Sequence, residues 1–456
     1  MARVVVVGGG NAGLCAAMAA RDRGAEVTLL ERAPIHLRGG NSRHTRNLRT
    51  AHDQGDDFLS GAYPASELRA DLVALAGGEG DEAITDLIAE EAGSIAAWME
   101  DHGARWQGAL RGTLSLTRTN RFFLGGGKAL INAYYRTLES LGVDVRYDAK
   151  VIDLEVVAGR ALGVILDGDG GQERIACDAL VLAAGGFEAN LNWLAQHWGP
   201  AAYNFAIRGT PHNDGLMLER LFAHGANRVG DPTRFHAVAV DARGPRFDGG
   251  IVTRLDAIPA GIVVNCRGER FADEGEDIWP KRYAIWGRRI ALEEEQQAFA
   301  IIDRRRRDAI MPPVYAPHES ATIEGLANAI GVSAPCLAAT VATFNAHAPA
   351  EAGLDLDALD GHTTTDLDPP KSNWALRIEE PPFYAFPLRP GITFTYHGVA
   401  VDRSMRVRRD GTVFDNVFAA GEMMAGNVLT SGYMAGIGMT IGSISGRLAG
   451  WGAADA

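Results

Sequence analysis

The first 31 residues constrain this chain more than any other stretch. Arg3–Val7 is a short β-branched run of the kind buried in a parallel sheet. Gly8-Gly9-Gly10-Asn11-Ala12-Gly13 follows, then a helix predicted over Leu14–Arg23, a break at Gly24, a strand over Glu26–Leu30 and an acid, Glu31. Strand, glycine turn, helix, strand and acid stand in the order a dinucleotide site requires. Gly8 permits the tight turn, Gly10 removes the side chain that would block a pyrophosphate, and Gly13 lets helix and strand pack closely. The helix start offers free N–H groups and a partial positive charge to phosphates. Glu31 is placed to take ribose hydroxyls. The bland alternative is a glycine-rich helix start without a ligand.

Similar turns recur far along the chain. Gly39-Gly40-Asn41-Ser42-Arg43-His44-Thr45-Arg46 is a polar glycine loop, and residues 66–102 read as helical. Gly125-Gly126-Gly127-Lys128 precedes a helix over Ala129–Leu141. Strands are predicted at Val143–Tyr147, Lys150–Val157, Leu162–Leu166 and Ala179–Leu182, the last ending in Ala183-Ala184-Gly185-Gly186-Phe187. A final strand ends in Ala419-Ala420-Gly421-Glu422, before a glycine-rich stretch and a closing helix. A site built from such distant segments implies one domain interrupted by another. The expected division is a nucleotide-binding domain over 1–235 and 394–456, interrupted by a unit over 236–393.

Composition narrows the class. The 456 residues are 46% hydrophobic and 22% charged, as in folded soluble proteins. A net charge of −13 disfavours a duplex nucleic-acid binder, which needs a basic footprint. The four cysteines (15, 177, 266 and 336) contain no CxxC, so neither a zinc site nor a disulfide scaffold is expected. There is no signal-peptide pattern and no long apolar segment, so a cytoplasmic protein without an integral membrane span is expected.

The sequence resembles the fumarate reductase/succinate dehydrogenase flavoprotein superfamily. GGGNAG with Glu31, GGNSRHT, GGGKAL, AAGGF, the turn at 212–215, Gly268-Glu269-Arg270-Phe271-Ala272-Asp273-Glu274 and AAGEMMAGN carry the resemblance nearly end to end. EDIWPKRYAIWGR, GITFTYHGVAVD and GEMMAGNVLTSGYMAGIGMTIG are most similar to tricarballylate dehydrogenase-like enzymes. The resemblance implies an α/β fold, a Rossmann-type FAD-binding domain interrupted by an α+β capping (substrate) domain. It implies non-covalent FAD held by Gly8, Gly10, Asn11, Ala12, Gly13, Glu31, Arg32, Gly40, Asn41, Ser42, Ala184, Gly185, Asp214, Gly421, Glu422 and Gly438. His44 lies near where some relatives attach FAD covalently.

The implied reaction is a desaturation, or its reverse, beside a carboxylate, such as tricarballylate to cis-aconitate. Such a site must hold carboxylates, place a proton acceptor at the α carbon and align the β carbon with the flavin. His236 resembles the carboxylate-binding His of the superfamily, with Ala237 where a Pro is usual. Glu274 corresponds to an acid in an arginine-linked proton relay, but Asp277 stands where the relay's Arg is expected, which moves that role to Arg282. Gapless counting puts the proton-shuttling arginine at Arg307. The Arg304–Arg307 run reads equally as a solvated helix face, and a free guanidinium does not readily deprotonate. Thr393 and Phe394 replace substrate-binding histidines, leaving Thr393, Tyr396 and His397 for hydrogen bonds. The alternative for Phe394 and Tyr396 is a place in the core.

Arg43, Arg46 and Arg49 share one helical spacing; Arg46 is expected to receive a polycarboxylate, the alternative being that these arginines meet FAD phosphates or solvent. The superfamily's clamping arginine is absent after the Gly421-Glu422 turn. Tyr433 there is similar to the tyrosine with which ketosteroid dehydrogenases polarise a carbonyl. A carbonyl-activated desaturase, a flavin-dependent isomerase or lyase, and a redox subunit therefore stand as alternatives. A separate electron acceptor or redox partner is expected, because the chain has no cluster cysteines.

Overall fold

The computed structural model describes residues 1–108, 116–168, 171–350, 355–356 and 358–456. Strand β1 (Arg3–Val7) buries Val4–Val7. Each such side chain contributes about 1.5–3 kcal/mol when withdrawn from water. It leads through the glycine turn into helix α1 (Asn11–Asp22) and strand β2 (Glu26–Leu30). Helix α2 (Gly126–Ser140), strand β3 (Asp144–Arg146) and strand β4 (Ala179–Leu182) follow. The chain next forms β5 (Phe235–Asp241), β6 (Ile262–Asn265), β7 (Ala298–Ile302) and β8 (Phe383–Thr395). It closes with β9 (Arg406–Arg409), β10 (Thr412–Ala419) and helix α3 (Ile437–Ala454).

Two sheets organise these elements. The first has the order β9-β10-β4-β1-β2-β3, parallel except for the β9–β10 pair. At its centre Val4–Val7 and Ala179–Leu182 are apolar and buried, as strands covered on both faces must be. The second sheet is built on β8, which pairs with β5 and β7, while β6 pairs with β7. Ala206–Ile207 also joins β8. The chain thus leaves the first sheet after Leu182 and returns at Arg406. The expected boundaries at 236 and 393 fall inside β5 and β8, which pair with each other in the second sheet.

Glycine chemistry decides how the first unit closes. Gly8 has φ +103°, and a Cβ there would lie 2.3 Å from the Ala183 carbonyl oxygen. A Cβ on Gly13 would lie 1.8 Å from the Gly8 oxygen, so α1 can leave the turn only with glycine at that position. Helix α3 then lies along α1 through a ridge of small residues. A Cβ on Gly446 would meet the Ala12 oxygen at 2.3 Å, and one on Gly450 the Ala16 oxygen at 2.2 Å. The register of these contacts makes the two helices parallel, with both N-termini at one end.

The predicted strands over 3–7, 26–30, 150–157 and 179–182 match the structure. The single helical stretch over 66–102 is instead three helices, Ala65–Ala76, Glu82–Glu91 and Ile95–Asp101. The first break falls at Gly77 and Gly78, whose φ of +59° and +83° no helix accommodates. Gly450→Val should destabilise the protein by about 1–3 kcal/mol through overpacking, read as a lowered denaturation midpoint. An unchanged midpoint would contradict the helix contact.

Candidate functional site

One cleft, partly open to solvent, runs from the carboxyl ends of β1, β2, β4 and β10 into the junction with the second sheet. Val7, Leu30, Ala183 and Ala420 mark the strand ends. The N-termini of α1 and α3 both reach it, through Gly10–Ala12 and Gly438–Met439. Helix N-termini carry unsatisfied N–H groups and a partial positive charge, which suits anionic ligand groups.

The first half of the cleft is a cradle with free space where a side chain would stand. A Cβ on Gly10 meets nothing nearer than the Ser42 hydroxyl at 3.6 Å. The Ser42 hydroxyl accepts the Asn11 N–H at 3.0 Å, fixing the 39–44 loop over the turn. Glu31 is buried; its carboxylate accepts N–H groups from Gly9 at 3.1 Å and Ala33 at 2.8 Å. Burial pushes its pKa up, and those backbone donors oppose the shift. Arg32 pairs with Asp214 at 2.5 Å across the rim. Glu422 accepts the Thr395 N–H at 2.7 Å and its hydroxyl at 3.0 Å. Burial and the neighbouring Glu188 carboxyl push the Glu422 pKa well up. An open turn, two helix N-termini and a buried acid at the end of β2 fit an extended dinucleotide.

The second half is cationic and aromatic. Arg46, Arg208 and Arg254 line it with His236, Tyr283, Thr393, Phe394 and Tyr433. Arg254 is paired with Asp256 at 2.6 Å, and Asp256 also accepts the Trp279 indole N–H at 2.8 Å. Arg208 donates from Nε to the Thr393 hydroxyl at 2.8 Å, while its Nη1 is buried without a partner. Arg46 has its Nε buried without a partner, and its Nη1 meets only the Met311 sulfur at 3.6 Å. Among the described residues neither guanidinium forms an ion pair. Burial, with repulsion from Arg254, brings both down to about 10. They remain cations at neutral pH.

His236 is buried and stacks on Tyr433 with ring centroids 3.9 Å apart and planes 3° apart. Burial, reinforced by Arg208 and Arg254, pushes its pKa well down, so the imidazole is neutral. Its Nδ1 has no hydrogen-bond partner. The Tyr433 hydroxyl accepts the Gly438 N–H at 3.1 Å in the first turn of α3. Burial pushes its pKa up.

A family model described as an FAD binding domain matches residues 3–439. The chain belongs to this FAD binding domain family. FAD is its cofactor, and it is an FAD-dependent oxidoreductase. It is 27% identical over 439 residues to the fumarate reductase (cytochrome) of Shewanella frigidimarina, covering 93% of this chain and 72% of that one. It is 30% identical over 324 residues to the 4-oxocyclohexanecarboxylate 2-dehydrogenase of Sinomonas cyclohexanicum, covering 63% of this chain and 54% of that one. The solved open conformation of a flavocytochrome c3 fumarate reductase superposes with a TM-score of 0.77 at 24% identity, covering 100% of this chain and 78% of that one. That likeness concerns the fold.

The expected flavin contacts Gly8, Gly10, Asn11, Ala12, Glu31, Arg32, Gly40, Asn41, Ser42, Ala184, Gly185, Asp214, Gly421, Glu422 and Gly438 all line the cleft. Gly13 does not; it lies behind the turn as a packing residue. His236, Thr393, Tyr433 and Arg46 line the second half. His44 also lines the cleft, its Nε2 engaged by Asp248.

Five expected substrate or catalytic residues lie elsewhere. Tyr396 is 1% exposed, in the core, and His397 turns Nδ1 to the Gly230 carbonyl at 2.9 Å. Glu274 is locked to Arg270 at 2.6 Å and accepts the Val263 N–H at 2.8 Å. Arg282 pairs with Glu276 at 3.4 Å, outside the cleft lining. Arg307 lies against the Tyr384 ring, 5.9 Å from its centroid. The relay expected from Arg307, Glu274 and Arg282 is therefore not assembled in the cleft.

Sequence reading did not single out Arg208, Arg254 or Tyr283 as site residues. The local signal for Arg208 was its place just before the turn at 212–215. Gly10→Val should leave folding intact, since a Cβ there comes no nearer than ordinary contact to Ser42 and Gly39, and should abolish flavin retention. Purification of that variant with the wild-type yellow absorbance would contradict the cradle.

Proposed function

We propose that this FAD-dependent oxidoreductase acts on a carbon–carbon bond beside a carboxylate, with a small polycarboxylate as substrate. Conversion of tricarballylate to cis-aconitate is the specific reaction we put forward. One observation carries the reading: two buried guanidiniums, Arg46 and Arg208, face the cleft with nitrogen atoms that no described residue satisfies. An unpaired buried charge costs several kcal/mol. The arrangement supports a ligand that brings two negative charges. Arginine's planar fork matches a carboxylate with two parallel hydrogen bonds. Arg254 is already neutralised by Asp256 and serves as a spectator or a third, weaker contact.

When bound, FAD supplies the acceptor or donor of a hydride. The residues of the chain do the rest. Arg46 and Arg208 bind the carboxylates and stabilise negative charge that develops at the neighbouring carbon. Thr393 holds the Arg208 plane through its Nε. His236 and Tyr433 form a flat wall that orients the carbon skeleton. Reoxidation requires a separate electron acceptor.

A second reading has its own support. The Tyr433 hydroxyl, accepting the Gly438 N–H, is free to donate its proton to a ketone oxygen. One relative is named for a substrate that carries both an oxo group and a carboxylate.

Anaerobic addition of tricarballylate, succinate or a 3-ketosteroid to the yellow protein separates the readings. Bleaching by tricarballylate or succinate is expected; bleaching by the ketosteroid alone would overturn the carboxylate reading. A non-redox isomerase would turn over without bleaching and ignore an added electron acceptor. Arg208→Gln should lower kcat/KM for the carboxylate about 10- to 100-fold, as loss of a charged hydrogen bond does, with flavin content unchanged. Wild-type kcat/KM would exclude Arg208 from substrate binding.

A further inference from the structure

We propose that Tyr283 is the residue that exchanges the substrate's α proton. The inference rests on the carboxylate reading above and assigns a proton-transfer role within it. Tyr283 stands in the short turn Tyr283–Ile285, between β6 and β7 of the second sheet. It lines the cleft from that unit, whereas the glycine cradle lines it from the first sheet. Substrate held between these walls meets the cradle on one side and the phenol on the other. A hydride and a proton then leave neighbouring carbons toward separate groups.

The remaining cleft groups are committed to other work. Arg46 and Arg208 face the carboxylates. Arg254 is bound to Asp256 and lies over the Tyr283 ring, 4.9 Å from its centroid. His236 is flattened on Tyr433, and its ring edge meets Tyr283 at 5.6 Å between centroids. Tyr433 is packed face to face on His236 and its oxygen accepts the Gly438 N–H; its own proton remains free, but it stands at the first turn of α3, on the cradle's side of the cleft. The Tyr283 hydroxyl makes no hydrogen bond with a described residue. A side chain wrapped in cations, reaching the cleft with its polar tip uncommitted, is equipped for proton transfer rather than for holding the fold.

The bookkeeping closes with the cofactor already assigned. In the reductive direction the Tyr283 O–H bond breaks and its proton goes to the α carbon. A hydride, with its electron pair, arrives at the β carbon, and the C=C π bond is consumed. The phenolate regains a proton from water. In the oxidative direction the phenolate takes the α proton, and the β hydrogen leaves as hydride.

The groups facing the phenol are Arg254 over its ring, Arg208 and Arg46 across the cleft, Asp256 behind Arg254, Tyr433, and the neutral His236 at its edge. Burial raises the Tyr283 pKa, while Arg254 and Arg208 oppose that shift. The resting group is therefore the phenol. Desaturation should speed up as pH rises toward the phenol's pKa, and the reduction should slow above it.

The test is Tyr283→Phe in the FAD-loaded protein, which removes one hydroxyl that no described residue uses. Anaerobic stopped-flow bleaching with tricarballylate and succinate is compared with wild type, and reoxidation of the reduced protein by cis-aconitate and fumarate is followed in parallel. The expected result is a rate constant lower by about 10²–10⁴-fold, with flavin content and substrate dissociation constant within a few-fold of wild type. The alkaline rise of the wild-type profile should vanish in the variant. Bleaching of the variant within a few-fold of wild type, with the same pH profile, would overturn the role of Tyr283 and leave the carboxylate reading standing. If none of the four carboxylates reacts with the wild type, the carboxylate reading itself falls, and this inference with it.

Discussion

The site depends on the contact between α1 and α3. Glycines at 446 and 450 let two helix backbones touch along their length, at distances that any side chain would prevent. The helices run parallel, so both N-termini arrive at the same end of the first sheet. There they meet the carboxyl ends of β1, β2 and β4. The result is a concave surface bearing the partial positive charges of two helix N-termini. An extended, anionic dinucleotide is the ligand that such a surface stabilises. The dependence on glycine is steric, since Gly13 and Gly446 each face a carbonyl oxygen closer than any Cβ can approach.

The second half of the cleft follows a different logic. Two buried arginines outside the cleft have an acid: Arg306 has Asp303, and Arg447 has Glu91. Arg46 and Arg208 face the cleft with no such partner among the described residues. Their desolvation is unfavourable in the ligand-free protein and is relieved when a carboxylate arrives. Folding energy is thereby held in reserve for binding, as expected where buried charge serves chemistry rather than stability. His236 is kept neutral by burial, reinforced by Arg208 and Arg254, so the cleft's unpaired charge remains on the two guanidiniums.

The first unit was largely legible in the sequence because its signals are local. A glycine turn, an alanine-rich helix and an acid at the end of β2 lie within 31 contiguous residues, and each carries its own steric or electrostatic reason. The substrate half was less legible because Arg46, Arg208, Arg254 and Tyr283 come from four separate segments and meet only through tertiary packing. The Arg304–Arg307 run shows the converse. It stands out in sequence, yet Asp303 caps the turn and binds Arg305 at 2.8 Å and Arg306 at 3.0 Å. Arg306 also donates to the Leu376 and Arg377 carbonyls. That local network uses the charge to anchor a loop. Glu274 likewise found Arg270, four residues away, before any distant partner. Counting along a family pattern transfers position, but it does not carry over the neighbours that decide where a charged side chain points.

The central claim is that the two unpaired guanidiniums await two carboxylates. Equilibrium binding to the oxidised protein, read from the flavin absorbance, tests it without requiring turnover. A redox-inert dicarboxylate would be compared with its monoamide and diamide, which keep the skeleton and remove one charge at a time. The account predicts that affinity falls at least about 10-fold with each carboxylate neutralised, as loss of a charge-assisted hydrogen bond requires, and that raising the salt concentration narrows the difference. Equal affinity across the three compounds would contradict it.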